Sequence, residues 1–351
     1  MNSQSRAVPL PATLYSLQAG RALASLAVVL HHASLATADF VAPPWGSRLF
    51  EAGYLGVDFF FVLSGFIIFH STVGRGKSVA AYASARFFRV YPSYWPIGIG
   101  MALLYTFAPG LSAGDHEWSW LASLTLLPVS SGTALTVAWT LKHEILFYAV
   151  FGILYFSGRL FVGLALWGAV IVISAALGGS ALVPLSLLNL EFLAGVLAAF
   201  LARRGHGHPA LYLVALLPFL LWLHLGALRQ QSVLVGLSFA LVILATVRLE
   251  QRGKIAVPRW LIFLGAASYS TYLVHGILIS LTARLIAEAP TLLFFASGIM
   301  VSIVGGIAYH LFVERPVLNW RRGAGHEQRR SAQPSAAGNA AGPIDASSTS
   351  A

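Results

Sequence analysis

The 351-residue chain contains no cysteine, which removes disulfides, thiolate nucleophiles and cysteine-ligated metals from consideration. Charge is scarce as well: 10% of residues are charged, against roughly 25% in an ordinary soluble domain. Acidic residues are the scarcer sign, with 12 Asp plus Glu facing 22 Lys plus Arg. The usual signatures of soluble catalytic sites are missing too. Ser64 has Val62 where a nucleophile elbow needs glycine. The stretch Gly74-Arg75-Gly76-Lys77-Ser78 resembles the end of a phosphate-binding loop, but the opening glycine of that motif would fall at Ser71. His206 and His208 stand without a third ligand, so they read as a solvated loop, and no metal is expected.

What the chain has in excess is apolar sequence, 57% of residues with a mean hydropathy of +0.76. Hydrocarbon offers no water to satisfy backbone groups, so a chain of this kind crosses it as helices or as a closed barrel. The apolar runs are ~20 residues long rather than alternating over ten-residue strands, which selects helices. The expected fold is therefore all-α, a polytopic membrane helix bundle with about ten transmembrane helices. Their positions are near 16–38, 50–72, 90–108, 136–157, 160–178, 181–202, 210–226, 231–249, 260–283 and 291–313.

Loop charge orients this bundle. Arg75, Lys77, Arg86 and Arg89, then Arg159, Arg203 and Arg204, then Arg248, Arg252, Lys254 and Arg259, and finally Arg315, Arg321, Arg322, Arg329 and Arg330 fall in alternate connections or beyond the last span. The opposite connections hold only Arg48, Arg229 and Arg284. The positive-inside rule then places both termini in the cytoplasm. The net charge of +10 is topology, and because it is spread along the chain no nucleic-acid partner is expected. The organisation reads as a short cytoplasmic N-terminus (1–15), a membrane domain (16–316) and a basic, Gly/Ala/Ser-rich cytoplasmic tail (317–351) expected to be disordered. Arg6, the apolar run from Ala22 and the triplet Ala36-Thr37-Ala38 imitate a cleaved signal peptide, but Arg21 and the pair His31-His32 interrupt its apolar region.

Ionisable residues within spans are costly and mark substrate paths or catalytic sites. Arg21 and His32 share the first span. Eleven residues separate them, ~16 Å along a helix, and eleven steps of ~100° return them to nearly the same face. Counted from the expected span ends, His32, Asp58, Glu144, Glu191 and His275 fall in one layer ~9 to 15 Å below the outer surface. Interhelical pairing alone would account for any single one of them. A histidine near a carboxylate is also what activation of a hydroxyl by a general base requires. Arg21 lies at the cytoplasmic end beside the basic stretch with Arg86 and Arg89, and arginine forks suit phosphate oxygens. A long ligand with phosphates at one end and a reactive group ~16 Å away, such as acyl-coenzyme A, matches that spacing.

The same residues carry a family resemblance. Leu17-Gln18-Ala19-Gly20-Arg21 followed by His32 resembles the Arg/Lys-x10-His motif of the membrane acyltransferase family 3, the bacterial glycan O-acyltransferases, and most closely its exopolysaccharide-production branch. Gly56-Val57-Asp58-Phe59-Phe60-Phe61 with Ser64-Gly65-Phe66, Arg86-Phe87-Phe88-Arg89, Trp139-Thr140-Leu141-Lys142-His143-Glu144, and Glu191-Phe192 with Gly195 are similar to further motifs. So are Ser268-Tyr269 with Tyr272-Leu273 and His275, and Glu314-Arg315-Pro316. Gly20 departs from the pattern, standing where a larger residue is expected.

The resemblance implies a multi-pass enzyme of the bacterial inner membrane that takes an acyl group from acyl-coenzyme A, acetyl being the family's commonest, to a hydroxyl of a surface glycan or its lipid-linked precursor. No permanently bound cofactor is implied. Arg21 would bind the donor, with Arg86 and Arg89, and His32 would act as base or relay. Asp58 and Glu144 are alternative orienting carboxylates. Glu191, Tyr269, Tyr272 and His275 are assigned either to the acceptor site or to structure. The competing class is a transporter or flippase for a glycan, against which the chain shows no internal repeat.

Overall fold

The computed structural model describes residues 13–40, 50–111, 117–206, 232–286 and 288–321, together with Pro11 and a few positions between 208 and 217. Most of the expected seventh span (210–226), most of the N-terminal segment and nearly all of the tail lie outside the described residues. Among the described residues there is no strand, only an isolated bridge between Trp118 and Gly132.

The helices are α1 (Tyr15–Phe40), α2 (Leu55–Thr72), α3 (Val79–Phe107), α4 (Trp120–Thr125), α5 (Trp139–Phe156), α6 (Leu160–Ala176), α7 (Asn189–Arg203), α8 (Ser232–Gln251), α9 (Arg259–Ile286) and α10 (Thr291–Tyr309). A π-turn over His310–Glu314 follows α10, and the helix then runs on to Arg321. Five helical stretches are long and apolar enough to cross a membrane, namely Ala52–Thr72, Thr136–Phe156, Val233–Gln251, Arg259–Ile286 and Thr291–Arg321. Each remaining expected span except the seventh also holds a helix.

Apolar side chains point both inward and outward, as expected of a bundle in lipid. Phe66, Phe147, Phe151 and Phe192 are fully buried at the centre, and the Phe147 and Phe192 rings stack at 4.5 Å. Phe161, Val162, Leu166 and Ile173 on α6, and Leu292, Met300 and Val304 on α10, are exposed.

Close helix contacts rest on small residues, which let backbones approach where no hydrophobic gain against lipid drives association. A Cβ built on Gly65 of α2 would stand 2.0 Å from the Phe192 carbonyl oxygen of α7, and one on Gly195 would stand 1.9 Å from that of Val62. No side chain fits at either position. At Gly20 a Cβ would meet the tip of the Phe59 ring at 2.5 Å, a side-chain rather than a backbone contact.

Two helix termini are satisfied by distant residues rather than by local caps. The first amides of α1 donate to the Glu250 carboxylate of α8, Tyr15 N at 2.7 Å and Ser16 N at 3.0 Å, so an anion sits at the positive end of the helix. The six-residue α4 ends on Leu126 in the left-handed region (φ 55°). Its last carbonyls accept from α3: Ser123 O from Tyr94 Oη at 2.7 Å, Leu124 O from Trp95 Nε1 at 3.0 Å and Thr125 O from Tyr91 Oη at 2.6 Å. The Lys142 ammonium, buried on α5, donates to the carbonyls of Val129 and Ser131 at 2.6 and 2.9 Å. Segment 117–135 is thereby folded back against the middle of α3. The hydropathy profile treats it as a plain connection.

The start of α3 also differs from expectation. The helix begins at Val79, eleven residues before the expected span, with the Ser78 hydroxyl accepting from Ala81 N at 3.2 Å. Arg86 and Arg89 lie on this helix.

Candidate functional site

Arg21, Phe60, Ser64, Arg89, Glu144 and Tyr272 line a cavity of about 60 Å³ where α1, α2, α3, α5 and α9 meet. Arg21 Nη1 donates to Gln18 Oε1 at 3.2 Å, and among the described residues it forms no ion pair with a carboxylate. Arg89 is paired. Its Nη1 lies 3.3 Å from Glu314 Oε1, and its guanidinium stacks 4.8 Å over the Tyr269 ring. Glu314 Oε2 in turn accepts from Ser270 Oγ at 2.7 Å and from His310 Nδ1 at 2.8 Å. Glu144 Oε1 accepts from Ser64 Oγ at 3.2 Å and from the Tyr148 hydroxyl. The guanidinium of Arg86 lies 5.3 Å over the Tyr148 ring, and its Nη2 donates to Ser71 Oγ at 3.0 Å.

Beyond α3 the positive charge continues. Lys77, in the turn between α2 and α3, is held below its ordinary pKa by partial burial and then by the neighbouring Arg86, Arg321 and Arg75. A cluster of basic side chains of this kind is suited to a polyanionic phosphate ligand.

On the far side of Tyr272 the chemistry changes from guanidinium and carboxylate to imidazole. Tyr272 Oη bonds to Thr140 Oγ1 and donates to Val137 O, each at 2.8 Å, and its ring lies 5.6 Å from that of His275. His275 faces His32 at 4.9 Å between ring centroids, and His32 meets His31 at 5.2 Å. His31 turns toward Tyr54, with ring centroids 5.7 Å apart. His32 Nδ1 lies 3.0 Å from Val28 O. A carbonyl only accepts, so Nδ1 carries the proton and Nε2 holds the lone pair.

The single-layer expectation fails for Asp58. A Cβ on Gly53 would meet Ala27 O at 2.1 Å and one on Gly56 would meet Ala24 O at 2.4 Å, so α2 runs antiparallel to α1 with Asp58 near the level of Gly20 to Ala24. From residue 22 to His32 is ~15 Å along α1. The cause is an overshoot: α1 continues to Phe40, well past the level where α2 begins, so the ends of the two apolar runs do not coincide in height. Asp58 is buried and interacts with Glu191, buried on α7, across the glycine-mediated contact of α2 with α7. Glu144 belongs to the guanidinium end. The recorded contacts of both candidate orienting carboxylates thus lie away from His32, whose imidazole is oriented by a backbone carbonyl.

Of the other expected residues, Tyr269 joins the guanidinium end and donates to Val90 O at 3.0 Å. Tyr272 is the partition, and His275 stands with His32. Glu314 was legible only as part of a closing motif. The hydropathy boundary at 313 falls one residue short of it, yet the π-turn buries it beneath Arg89. Such turns within α-helices recur at functional sites. Tyr148 and Ser64, to which sequence reasoning gives no role, both donate to Glu144. His208, weighed as a metal ligand, accepts from the Ala210 amide at 3.2 Å, a local turn contact.

The chain is similar to known proteins across the region that holds these residues. The acyltransferase domain of acyltransferase family 3 matches residues 14–311. The exopolysaccharide production protein ExoZ of Rhizobium meliloti (strain 1021) is 32% identical over 303 residues, an alignment covering 78% of this chain and 92% of that protein. No solved structure matches the chain. The matched region takes in Arg21, the cavity and the histidine group from end to end, and the chain belongs to acyltransferase family 3.

Proposed function

We propose that the chain is a membrane O-acyltransferase that moves an acyl group, acetyl as the simplest case, from cytoplasmic acyl-coenzyme A to a hydroxyl of an exopolysaccharide or its lipid-linked precursor. The observation that carries this reading is the column from Arg21 to His32. Both residues of α1 turn toward α9, Arg21 into the cavity beside Tyr269 and Tyr272 and His32 onto His275. The distance between them, ~16 Å of helix rise, separates a phosphate-binding end from a basic nitrogen.

In the proposed reaction the acceptor hydroxyl gives its proton to His32 Nε2 as its oxygen bonds to the thioester carbonyl carbon. Collapse of the tetrahedral intermediate breaks the carbon–sulfur bond, and the departing coenzyme A thiolate takes that proton from His32. Arg21, Arg86 and Arg89 hold the donor's phosphate end. Val28 O, which fixes the tautomer of His32, performs the orienting role that a carboxylate has in other hydroxyl-activating sites.

The test is the ester-linked acyl content of surface glycan in a deletion strain complemented with wild type or with His32→Ala at equal protein level. Loss of one acyl species with His32→Ala is expected, and its identity names the donor group. Equal acylation in the two strains with a difference in glycan export would replace this reading with transport, and His32 would then be a proton-relay residue.

A further inference from the structure

His275 is fully buried on α9, and the proposed proton transfer does not use it. Its Nδ1 lies 2.6 Å from Tyr272 O, so that nitrogen carries the proton and Nε2 the lone pair. His275 Nε2 is buried and has no hydrogen-bond partner among the described residues. Buried acceptors in native proteins are nearly always satisfied, by protein or by ordered water, so this nitrogen has capacity for one donor that no protein group among the described residues supplies. The neighbour at 4.9 Å, His32, cannot supply it, because the Val28 carbonyl fixes His32 in the same tautomer. Two imidazoles held by backbone carbonyls, their ring centroids 4.9 Å apart, therefore each keep an accepting Nε2. The other titratable groups around them are His31 on α1 and Tyr272 on α9. The Tyr272 hydroxyl is engaged with Thr140 and Val137, and the His31 ring packs on Tyr54.

We propose that His275 is an acceptor-binding residue whose Nε2 accepts a hydrogen bond from a second hydroxyl of the same sugar unit whose reacting hydroxyl is held by His32 Nε2. This rests on the acyltransfer reading and adds to it a second contact, one that requires the acceptor to carry two hydroxyls close together. His275 exchanges no proton; it keeps the one on Nδ1 throughout. A site with accepting nitrogens in both places selects against an acceptor that offers only one donor, because the second nitrogen is then left unpaired.

The experiment uses the full chain in lipid nanodiscs, acetyl-coenzyme A as donor and, as acceptor, the host polysaccharide stripped of its esters by mild base. Transfer and the slow hydrolysis of acetyl-coenzyme A are both followed. His275→Met, close in volume but without a strong acceptor, is expected to raise the acceptor KM tenfold or more. The KM for acetyl-coenzyme A and the hydrolysis rate should stay within twofold. His275→Gln, whose amide oxygen reaches the position of Nε2, should bring the acceptor KM back to within threefold of wild type. His275→Ala is a second non-accepting variant, read if His275→Met does not fold. An unchanged acceptor KM in a folded non-accepting variant, or a fall in kcat shared by transfer and hydrolysis, overturns the assignment and leaves acyl transfer standing. A wild-type protein that transfers nothing to the stripped polysaccharide overturns the acyltransfer reading and the assignment together.

Discussion

The two ends of the column running along α1 and α9 are held by different means. At the guanidinium end an ion pair between helical segments anchors the group: Arg89 is held by Glu314, and Glu314 by Ser270 and His310, with Glu144 taken up by Ser64 and Tyr148. At the imidazole end, His32 and His275 are each fixed by a carbonyl of their own helix, Val28 O and Tyr272 O. A cross-linked ion pair ties α3 to the π-turn and so carries tertiary stability. An intrahelical carbonyl contact orients a ring and ties nothing together. Substitutions at the first end should therefore be read in both stability and donor affinity, and those at the second almost entirely in chemistry.

The largest expected effect breaks the comparison at the imidazole end. His32→Ala should lower acyl transfer by about 10²- to 10⁴-fold, the usual contribution of a positioned general base, with the melting temperature in detergent nearly unchanged. A variant that loses activity and stability together would show that His32 also holds the bundle. Next comes Glu314→Ala. Removing one partner of a buried pair leaves an uncompensated charge, about 3–5 kcal/mol when both partners are buried. The Arg89 side chain is 33% exposed, which brings the expected loss to about 2 kcal/mol. The measurement is a melt in detergent. An unaltered melting temperature would mean that the pair is not part of the scaffold.

How much of this was legible in the amino-acid sequence depended on what each feature rests on. Helices such as α9 and α10 follow from the length of their apolar runs and needed no tertiary information. The first turns of α3 did not show, because Val79 to Arg89 mixes alanine, aromatic and arginine residues below the hydropathy of a span, although Ser78 was a capping signal in plain view. The heights of Arg21 and His32 relative to each other were legible, since both lie on one helix and the rise per residue is fixed. The height of Asp58 relative to His32 was not. It is set by where Gly53 and Gly56 pack on Ala27 and Ala24, and hydropathy reports where a run ends, not how two helices are registered. Segment 117–135 escaped for a third reason. Its fold is written in Tyr91, Tyr94, Trp95 and Lys142, which lie on other helices and become informative only once their carbonyl partners are known.

Smaller effects sharpen the contrast. Arg21→Lys keeps the charge and loses the planar fork, so it should raise the KM for acyl-coenzyme A by about tenfold, near 1.4 kcal/mol, with a smaller change in kcat. Steady-state kinetics at varied donor concentration measures this, and an unchanged donor KM would remove Arg21 from the donor site. The smallest effect is expected at His31, the immediate neighbour of the proposed base. Its ring edges that of His32 at 5.2 Å and leans on Tyr54, while His32 is oriented by Val28 O without its help. His31→Ala should thus stay within about twofold of wild type in acyl transfer, the usual reach of a side chain that packs beside a base without orienting it. The decisive comparison is His31→Ala against His32→Ala in the same membranes. An inactive first variant beside an active second would exchange their roles, and the reacting nitrogen would then lie on the Tyr54 side of α1, away from His275.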